Sequence, residues 1–223
     1  MISFCYPIKN RTLFVSNHND NKVLTTPLIK SAISVASCFD NNQDYEIVIA
    51  DFMSTDTDYE WLKQMQINHK IVKIDYGKYF NRGMGLNTAY EASSGERVFF
   101  IDADMLVNRQ FLQRCDEVLD KPEYNLFFPV CWSYSNPEHS EGYWRHTGYG
   151  NVIVNKEFWK KNNMSWWERD SWGREDSELF GLHEPHSFRE ESPGFYHMWH
   201  DEKAHLSSVY KNHHAKSDSR GES

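Results

Sequence analysis

The chain has 223 residues, with 24 basic and 32 acidic side chains and a formal net charge of −8. This length suits one compact domain, and the acidic balance argues against a dedicated nucleic-acid binder, which needs a basic surface for phosphates. Aromatic residues make up 15% of the chain, with 8 Trp, and this excludes a disordered protein because disordered chains lack such apolar surface. We therefore expect a folded protein that attracts a cation.

Neither a membrane anchor nor a secretory signal is visible in the sequence. The apolar runs are far shorter than the roughly 20 residues that a membrane-spanning helix needs, and the first residues lack a basic region followed by a long apolar stretch. The cysteines are scattered, without a Cys-x-x-Cys pair; they are Cys5, Cys38, Cys115 and Cys131. We interpret them as reduced, mostly buried thiols of a cytoplasmic protein, with zinc binding and disulfides as the alternatives.

The first half of the chain alternates between strand and helix patterns. The predicted strands are residues 11–16, 45–50, 71–74 and 97–101. The predicted helices begin at Pro27, at a possible capping box of Thr57 and Glu60, and at Met84. The second helix is expected to direct Trp61, Leu62 and Met65 inward. This alternation predicts an α/β fold with a mostly parallel, doubly wound sheet and helices on both faces. Ligands bind beyond the carboxyl ends of such strands, and Asp51 and Asp102 follow two of these ends.

The second half has a different character. A helix is predicted around residues 111–119 and strands near 127–130 and 151–154, separated by a polar, aromatic loop. We expect a single domain over residues 1–210, with a nucleotide-binding half (1–107), an acceptor and catalytic half (108–210) and a polar tail (211–223).

The sharpest local motif is Asp102-Ala103-Asp104. Two carboxylates, two residues apart, follow a hydrophobic strand and can converge on one ligand. Hard cations such as Mg²⁺ and Mn²⁺ prefer oxygen ligands and share them with substrate phosphates. A solvated turn between strand and loop is the alternative.

Two further motifs lie near the end of the chain. Glu175 and Asp176 follow a Trp172-Gly173 pair at the start of a helical stretch, where they either cap the helix or supply a general base. His197 and His200 lie among aromatic residues. An extended chain would point these two histidines to opposite faces, so we expect one metal ligand there rather than two.

Taken together, the motifs resemble the GT-A class of nucleotide-sugar glycosyltransferases, over roughly residues 11–205. The stretch from Arg82 to Ala89 is similar to the R-G-x-x-x-N-x-A segment of family-two glycosyltransferases, Asp51 to the acidic end of their second strand, and Asp102-x-Asp104 to their D-x-D motif. The Trp172-Gly-x-Glu175-Asp176 segment resembles the W-G-G-E-D motif of β-1,4-galactosyltransferases and chondroitin N-acetylgalactosaminyltransferases, with Arg174 in place of the second glycine. Residues 195–203 resemble the F-H-x-W-H-E-K ending of the latter group.

The resemblance implies a GT-A, Rossmann-like fold and a hexosyltransferase that uses Mn²⁺ or Mg²⁺. A sugar would pass from a nucleotide sugar, expected to be a UDP-sugar, to a hydroxyl of a glycan or glycoconjugate, with inversion. The implied donor-binding residues are Asn17, Asp51 (which would accept from uracil), Arg82 (near the diphosphate), Asp102 and Ala103. The implied metal ligands are Asp104 and His200, with His197 as the alternative; Asp176 would be the base, and Glu175 would hold a sugar hydroxyl.

The acceptor side is expected among the late aromatic residues. Trp132, Trp172 and Gly150 are the candidates; Trp144, Trp166 and Trp167 could stack on sugar rings or pack in the core. A metal-dependent hydrolase of nucleotide sugars or phosphoesters would use the same carboxylates and histidine, and a non-enzymic sugar-binding module would use the aromatic residues alone. A sugar nucleotidyltransferase is less suitable, because the glycine-rich N-terminal loop that cradles a triphosphate is missing.

Overall fold

The computed structural model describes residues 1–18, 21–168 and 175–200. Its strands are β1 (Ile2–Ile8), β2 (Phe14–His18), β3 (Asn21–Thr25), β4 (Tyr45–Asp51), β5 (His69–Lys73), β6 (Arg97–Phe100), β7 (Met105–Val107), β8 (Leu126–Tyr134), β9 (Gly142–Trp144), β10 (Val152–Asn155) and β11 (Ser187–His197). Its helices are α1 (Pro27–Ala36), α2 (Glu60–Gln64), α3 (Arg82–Ala92), α4 (Arg109–Leu119), α5 (Lys156–Lys161) and α6 (Glu175–His183), followed by a 3₁₀ turn at Glu184–His186.

One mixed sheet organises these elements, in the strand order β5-β4-β1-β6-β10-β8-β11-β7, with β9 paired to β8. The first four strands of this order are mutually parallel. From β10 onward the directions are mixed, because β10 is antiparallel to β6 and β8, whereas β11 is parallel to β8 and antiparallel to β7. The parallel half places the carboxyl ends of β1, β4 and β6 at one edge, where ligands bind in folds of this kind.

The predicted first strand, residues 11–16, is wrong. The strand that pairs with β4 and β6 is β1, which is buried along its whole length, whereas β2 forms a separate two-stranded hairpin with β3. A strand covered on both faces is apolar without alternation, and none of the predicted strands covers residues 2–8. Pro7 lies near the end of β1, opposite Ala50.

The helices cover both faces of the sheet, as predicted. One face packs α1, α2 and α4 over a cluster that includes Phe4, Phe99 and Phe111. The other face packs α3, α5 and α6 over a cluster that includes Phe100 and Trp159. Neighbouring residues of β6 thus point into opposite cores, and the doubly wound α/β fold is confirmed.

Two local predictions about helix α2 are wrong. Its N-cap is Tyr59, with a positive φ of 64° and no capping side chain, because the Thr57 hydroxyl accepts instead from the Tyr59 N–H at 3.0 Å and from the Trp61 indole at 3.3 Å. Met65, predicted to face inward, is exposed. Helix α3 begins two residues before the predicted Met84, because the Asn81 side chain accepts from the Met84 N–H at 3.0 Å.

The four cysteines are buried and none forms a disulfide, as predicted. Burial raises the pKa of Cys38 and of Cys131 to about 11, so both are protonated thiols at neutral pH. Within the three described stretches, no helix is both long enough and apolar enough to cross a membrane.

A buried carboxylate joins three elements at the amino end of the sheet. Glu46 in β4 accepts from the Ser3 hydroxyl at 2.6 Å and from the Ser94 N–H, and pairs with the Lys70 ammonium at 2.8 Å. Burial raises the pKa of Glu46, but the hydrogen bonds from Lys70, Ser3 and Ser94 outweigh burial and hold the pKa below its ordinary value. Ionised Glu46 therefore stabilises the folded state.

Glu46→Gln should lower the free energy of unfolding at pH 7 by about 1–3 kcal/mol, the usual range for a buried hydrogen bond to a charged group. Because the folded pKa is depressed, this stabilisation is complete above the unfolded pKa of about 4.3 and is lost as pH falls through the folded pKa. Urea unfolding from pH 7 downward measures it, with the exposed Glu60→Gln as the control. A wild-type advantage that stays constant into acid would contradict the assignment.

Candidate active site

Strand pairing brings the D-x-D turn to the end of β11. The turn connects β6 to β7, and β7 pairs with β11 so that Met105 lies opposite His197. The contact continues past the strand, where the Met198 N–H donates to the carbonyl of Asp104 at 2.9 Å. The second aspartate and the histidines, more than 90 residues apart in the chain, are therefore neighbours in space.

Asp104, His197 and His200 form a compact cluster. The Asp104 Oδ2 atom is 3.0 Å from His200 Nε2 and 3.9 Å from His197 Nε2, and the ligand atoms of the three side chains lie within 4.8 Å of one another. The expectation that the two histidines face opposite sides is wrong. Strand β11 ends at His197, and the chain after it is no longer extended, so both imidazoles reach the same carboxylate.

A serine on the neighbouring strand orients His197. The Ser133 hydroxyl in β8 is 3.0 Å from His197 Nδ1, which leaves Nε2 directed toward Asp104. Burial lowers the pKa of His197 to about 4, against the opposing charge of Asp104. Burial raises the pKa of Asp104, but the hydrogen bond from His200 and the charge of His197 hold it well below its ordinary value. A carboxylate and a neutral imidazole are the protonation states that bind metals.

This donor set fits a divalent metal ion. One carboxylate and two imidazoles converge within bonding reach of a common point, and an orienting hydrogen bond on the far nitrogen of a histidine is typical of metal sites. Imidazole ligands make Mg²⁺ a poor fit, because Mg²⁺ prefers oxygen ligands.

Arg82 connects Asp102 with Glu175. Its Nε donates to Asp102 Oδ1 at 3.0 Å, its Nη2 donates to the Gly150 carbonyl at 2.5 Å, and its Nη1 is 3.8 Å from Glu175 Oε1. The guanidinium is nine-tenths buried and lies over the Trp166 ring, 5.2 Å from its centroid. The sequence predicted a contact of Arg82 with the diphosphate; in this structure the guanidinium contacts acids and a carbonyl of the protein.

Glu175 and Asp176 occupy the first turn of α6. Glu175 is buried, and this burial, with the charges of Asp176 and Asp102, raises its pKa against the opposing effect of Arg82. Asp176 is half-buried; its Oδ2 accepts from the Tyr149 N–H and its Oδ1 from the Ser177 N–H, both at 2.8 Å. The Asp176 carboxylate is thus held in one orientation at the helix start.

The other predicted donor residues have different surroundings. Asp51 ends β4 fully buried, where Oδ1 accepts from the Ser54 N–H at 2.9 Å and Oδ2 pairs with the Lys73 ammonium. Ala103 is buried within the D-x-D turn. Asn17 is exposed on the β2–β3 hairpin, opposite Lys22. Contact of these residues with a nucleotide stays a prediction.

The predicted acceptor residues separate into three groups. Trp166 is only 2% exposed and packs edge-on against Phe100 at 5.4 Å, so the core-packing alternative holds for this residue. Trp132 and Trp144 form an edge-to-face pair with centroids 5.5 Å apart, while Trp167 is exposed. Trp172 lies outside the described residues.

The R-G-x-x-x-N segment in α3 holds the backbone of residues 166–168. A Cβ on Gly83 would lie 2.1 Å from the carbonyl oxygen of Trp167, so only glycine permits this backbone approach. Four residues on, the Asn87 side chain donates to the Trp166 carbonyl and accepts from the Trp166 N–H, both at 2.9 Å. Helix α3 therefore fixes residues 166–168 from two adjacent turns.

Comparison with known proteins identifies the family. The family model described as "Glycosyl transferase family 2" matches residues 12–185. The chain belongs to this family. The match starts after β1 and ends before β11, so His197 and His200 lie outside it.

Relatives of this family 2 chain include human chondroitin sulfate N-acetylgalactosaminyltransferase 2, which is 28% identical over 159 residues, covering 60% of this chain and 29% of that protein. Mouse chondroitin sulfate synthase 3 is 23% identical over 224 residues, covering 83% of this chain and 25% of that protein. The chain thus spans less than a third of the length of these relatives.

Solved structures confirm the GT-A glycosyltransferase fold. Residues 1–349 of S. aureus TarS in complex with UDP-GlcNAc superpose with a TM-score of 0.69 at 17% identity, over 94% of this chain and 61% of that chain. The mannosyltransferase PcManGT from Pyrobaculum calidifontis, in complex with GDP-Man and Mn²⁺, superposes with a TM-score of 0.61 at 16% identity, over 92% of this chain and 59% of that chain.

Sequence reasoning missed several residues that shape the site. Ser133 contacts His197, Tyr149 contacts Asp176, and Asn151 contacts Asp102. Tyr149 and Asn151 belong to residues 146–151, with the sequence His-Thr-Gly-Tyr-Gly-Asn, and the glycines of this stretch allow a close approach of the backbone. No local pattern indicated which acid each of these residues would meet.

Proposed function

We propose that this family 2 chain transfers a sugar from a nucleotide sugar to a hydroxyl of a glycan or glycoconjugate, with a divalent metal ion and with inversion. The observation that supports this most strongly is the Arg82 bridge, which places the D-x-D turn and the Glu175–Asp176 helix start on two sides of one guanidinium. A donor held by the turn would then face the helix that offers a base. The UDP-GlcNAc complex of TarS and the GDP-Man complex of PcManGT, which share the fold, support a nucleotide-sugar donor.

Asp104, His197 and His200 would hold the metal ion, expected to be Mn²⁺. When bound there, the ion would supply positive charge that stabilises the diphosphate leaving group. Ser133 keeps His197 in the orientation that this role requires. Asp102 would contact the ribose or the sugar, and its carboxylate is held in position by Arg82 and Asn151.

Asp176 would act as the general base. It would take the proton of the acceptor hydroxyl, whose oxygen attacks the anomeric carbon from the face opposite the leaving diphosphate; the bond to the diphosphate oxygen breaks as the new glycosidic bond forms, and inversion results. The Tyr149 N–H and the Ser177 N–H hold this carboxylate in place. Glu175, buried beside Arg82, would accept a hydrogen bond from a sugar hydroxyl.

Donor screening with product analysis tests the proposal. The protein is incubated with UDP-GlcNAc, UDP-GalNAc or GDP-mannose and Mn²⁺, with and without oligosaccharide acceptors, and the products are resolved by mass spectrometry and NMR. Transfer to acceptor with inverted anomeric configuration is expected. Free sugar released at the same rate with or without acceptor would favour the hydrolase instead, and absence of Mn²⁺-dependent nucleotide binding would favour a sugar-binding module.

The metal assignment makes a prediction about both histidines. His200→Ala and His197→Ala should each weaken Mn²⁺ affinity about 10- to 100-fold, because both imidazoles reach the Asp104 carboxylate. Isothermal titration with Mn²⁺ in the presence of UDP measures this. His69→Ala, in the distant edge strand β5, is the control. If only one histidine variant lost affinity, the set of two nitrogen ligands would be wrong.

A further inference from the structure

Three consecutive residues, Tyr149 to Asn151, each contact a different part of the site. The Tyr149 N–H donates to Asp176 Oδ2, and the Gly150 carbonyl accepts from Arg82. The Asn151 side chain is bonded to Asp102. One short segment before β10 therefore connects the proposed base with the donor-side acid. We call this segment, residues 149–151, the strap.

The Asn151 side chain makes two hydrogen bonds to Asp102, one through each of its polar atoms. Its Oδ1 accepts from the Asp102 backbone N–H at 2.8 Å, and its Nδ2 donates to Asp102 Oδ2 at 3.3 Å. The other carboxylate oxygen, Oδ1, is held by Arg82 at 3.0 Å. Asp102 is thus fixed from both sides even though its side chain is about one-third exposed, at 36%.

The backbone alone does not fix this geometry. The antiparallel register of β10 with β6 ends at the pair Val152 and Phe100. Val152 follows Asn151 by one residue, and Phe100 precedes Asp102 by two. Beyond that pair, the side-chain amide of Asn151 continues the connection between the two chains. An amide is suited to this position, because it accepts from an N–H and donates to a carboxylate at the same time.

The strap backbone at Gly150 lies close to Arg82 and Asp102, with little space for a side chain. A Cβ on Gly150 would lie 3.0 Å from the Arg82 Nη2 atom and 3.6 Å from Asp102 Oδ2. The guanidinium and the carboxylate therefore lie directly against the strap backbone, so a shift of Asn151 would be transmitted to both.

We infer that Asn151 is a positioning residue, which acts through Asp102 and sets the distance between the donor-side acid and the base Asp176. This inference rests on the proposed transferase function and deepens it. In this role the strap would hold the donor and the acceptor in the relative position that brings the acceptor oxygen to the anomeric carbon. Small misplacements of that kind cost orders of magnitude in rate.

The test compares Asn151→Ala with Asn155→Ala. Asn155 lies at the far end of β10, where its amide contacts the Leu119 carbonyl and Asn125 and none of the site acids in the described structure. Asn151→Ala should lower kcat/KM for the donor by about 10- to 100-fold, as loss of an orienting partner does, with acceptor KM unchanged. Asn155→Ala should keep wild-type kinetics, while both variants lower Tm to a similar extent.

A double-mutant cycle shows whether Asn151 acts through Asp102. In an Asp102→Ala background, adding Asn151→Ala should cause no further loss of UDP affinity or of kcat/KM, because the residue it positions is gone. If Asn151→Ala does not fold, Asn151→Asp replaces it: this variant keeps the acceptor atom and the shape but sets a carboxylate against Asp102 Oδ2, and the same loss is expected.

Three outcomes would overturn the inference. Wild-type kinetics of Asn151→Ala and Asn151→Asp would show that Asp102 needs no such partner. A full additional loss in the Asp102→Ala background would show that Asn151 acts elsewhere. A wild-type protein that consumes no nucleotide sugar would overturn the proposed function together with the inference, whereas an active wild type with unaffected variants overturns the inference alone.

Discussion

Asp176→Asn is expected to lower the turnover number of sugar transfer by about 10²- to 10⁴-fold, the usual contribution of a general base, with nucleotide-sugar affinity unchanged. Asparagine keeps an oxygen that can accept from the Tyr149 N–H at the position where Asp176 does so at 2.8 Å. The Tyr149 contact that orients the side chain can be kept, whereas the hydrogen bond from the Ser177 N–H and the capacity to take a proton are lost. Steady-state kinetics with donor and acceptor varied separately, together with titration of UDP, measure the two effects.

Glu184→Gln provides the control for Asp176→Asn, because Glu184 is an exposed acid just after the same helix. It removes one negative charge near the site without touching the proposed machinery, so its turnover should equal that of the wild type. Wild-type turnover of Asp176→Asn would exclude Asp176 as the base. A loss confined to UDP affinity would instead assign it to donor binding.

Asp104→Ala is expected to abolish metal-dependent nucleotide binding. Asp104 supplies the carboxylate in the three-residue cluster, and the two imidazoles that remain lose the charge that balances the cation. At UDP concentrations about 100 times Kd, binding stabilises the wild type by about 2.7 kcal/mol, or about 5–10 °C in Tm for a chain of this size. That Mn²⁺-dependent rise should disappear in the variant, and in the wild type after chelation with EDTA.

Asp120→Ala is the matched control for Asp104→Ala, since Asp120 is a mostly exposed acid at the end of α4. It should retain the full rise in Tm with UDP and Mn²⁺. If Asp104→Ala lowers Tm too far for the comparison, Asp104→Asn serves in its place, because it keeps the shape and removes only the charge. An unchanged metal-dependent rise in either Asp104 variant would contradict the ligand role.

The two predictions separate the halves of the proposed mechanism. Loss of the metal cluster should remove donor binding, whereas loss of the base should leave the donor bound and unreacted. A protein in which both substitutions acted only on stability would contradict the roles proposed for Asp104 and Asp176.

Much of the fold could be predicted from the sequence, because it depends on patterns within single elements. The apolar segments at residues 45–50 and 97–101 predicted the buried strands β4 and β6, and the D-x-D motif after β6 predicted a cation-binding turn. Strand β1 was not predicted, although most of its residues other than Pro7 fit a buried strand. Whether residues 2–8 form a strand of the main sheet is decided by their pairing with β4 and β6, which lie more than 40 residues further along the chain.

The sequence by itself determined the identities of the site: the acids after strands β4 and β6, the acids at the start of α6, and two histidines near the end of β11. Only the tertiary structure decided how they meet. The pairing of Met105 with His197 brings both histidines to Asp104, and the strap directs Asn151 to Asp102 and leaves Arg82 between two acids. The physical reason is that side-chain direction at a strand end depends on the register of the neighbouring strand, and long-range pairing sets that register.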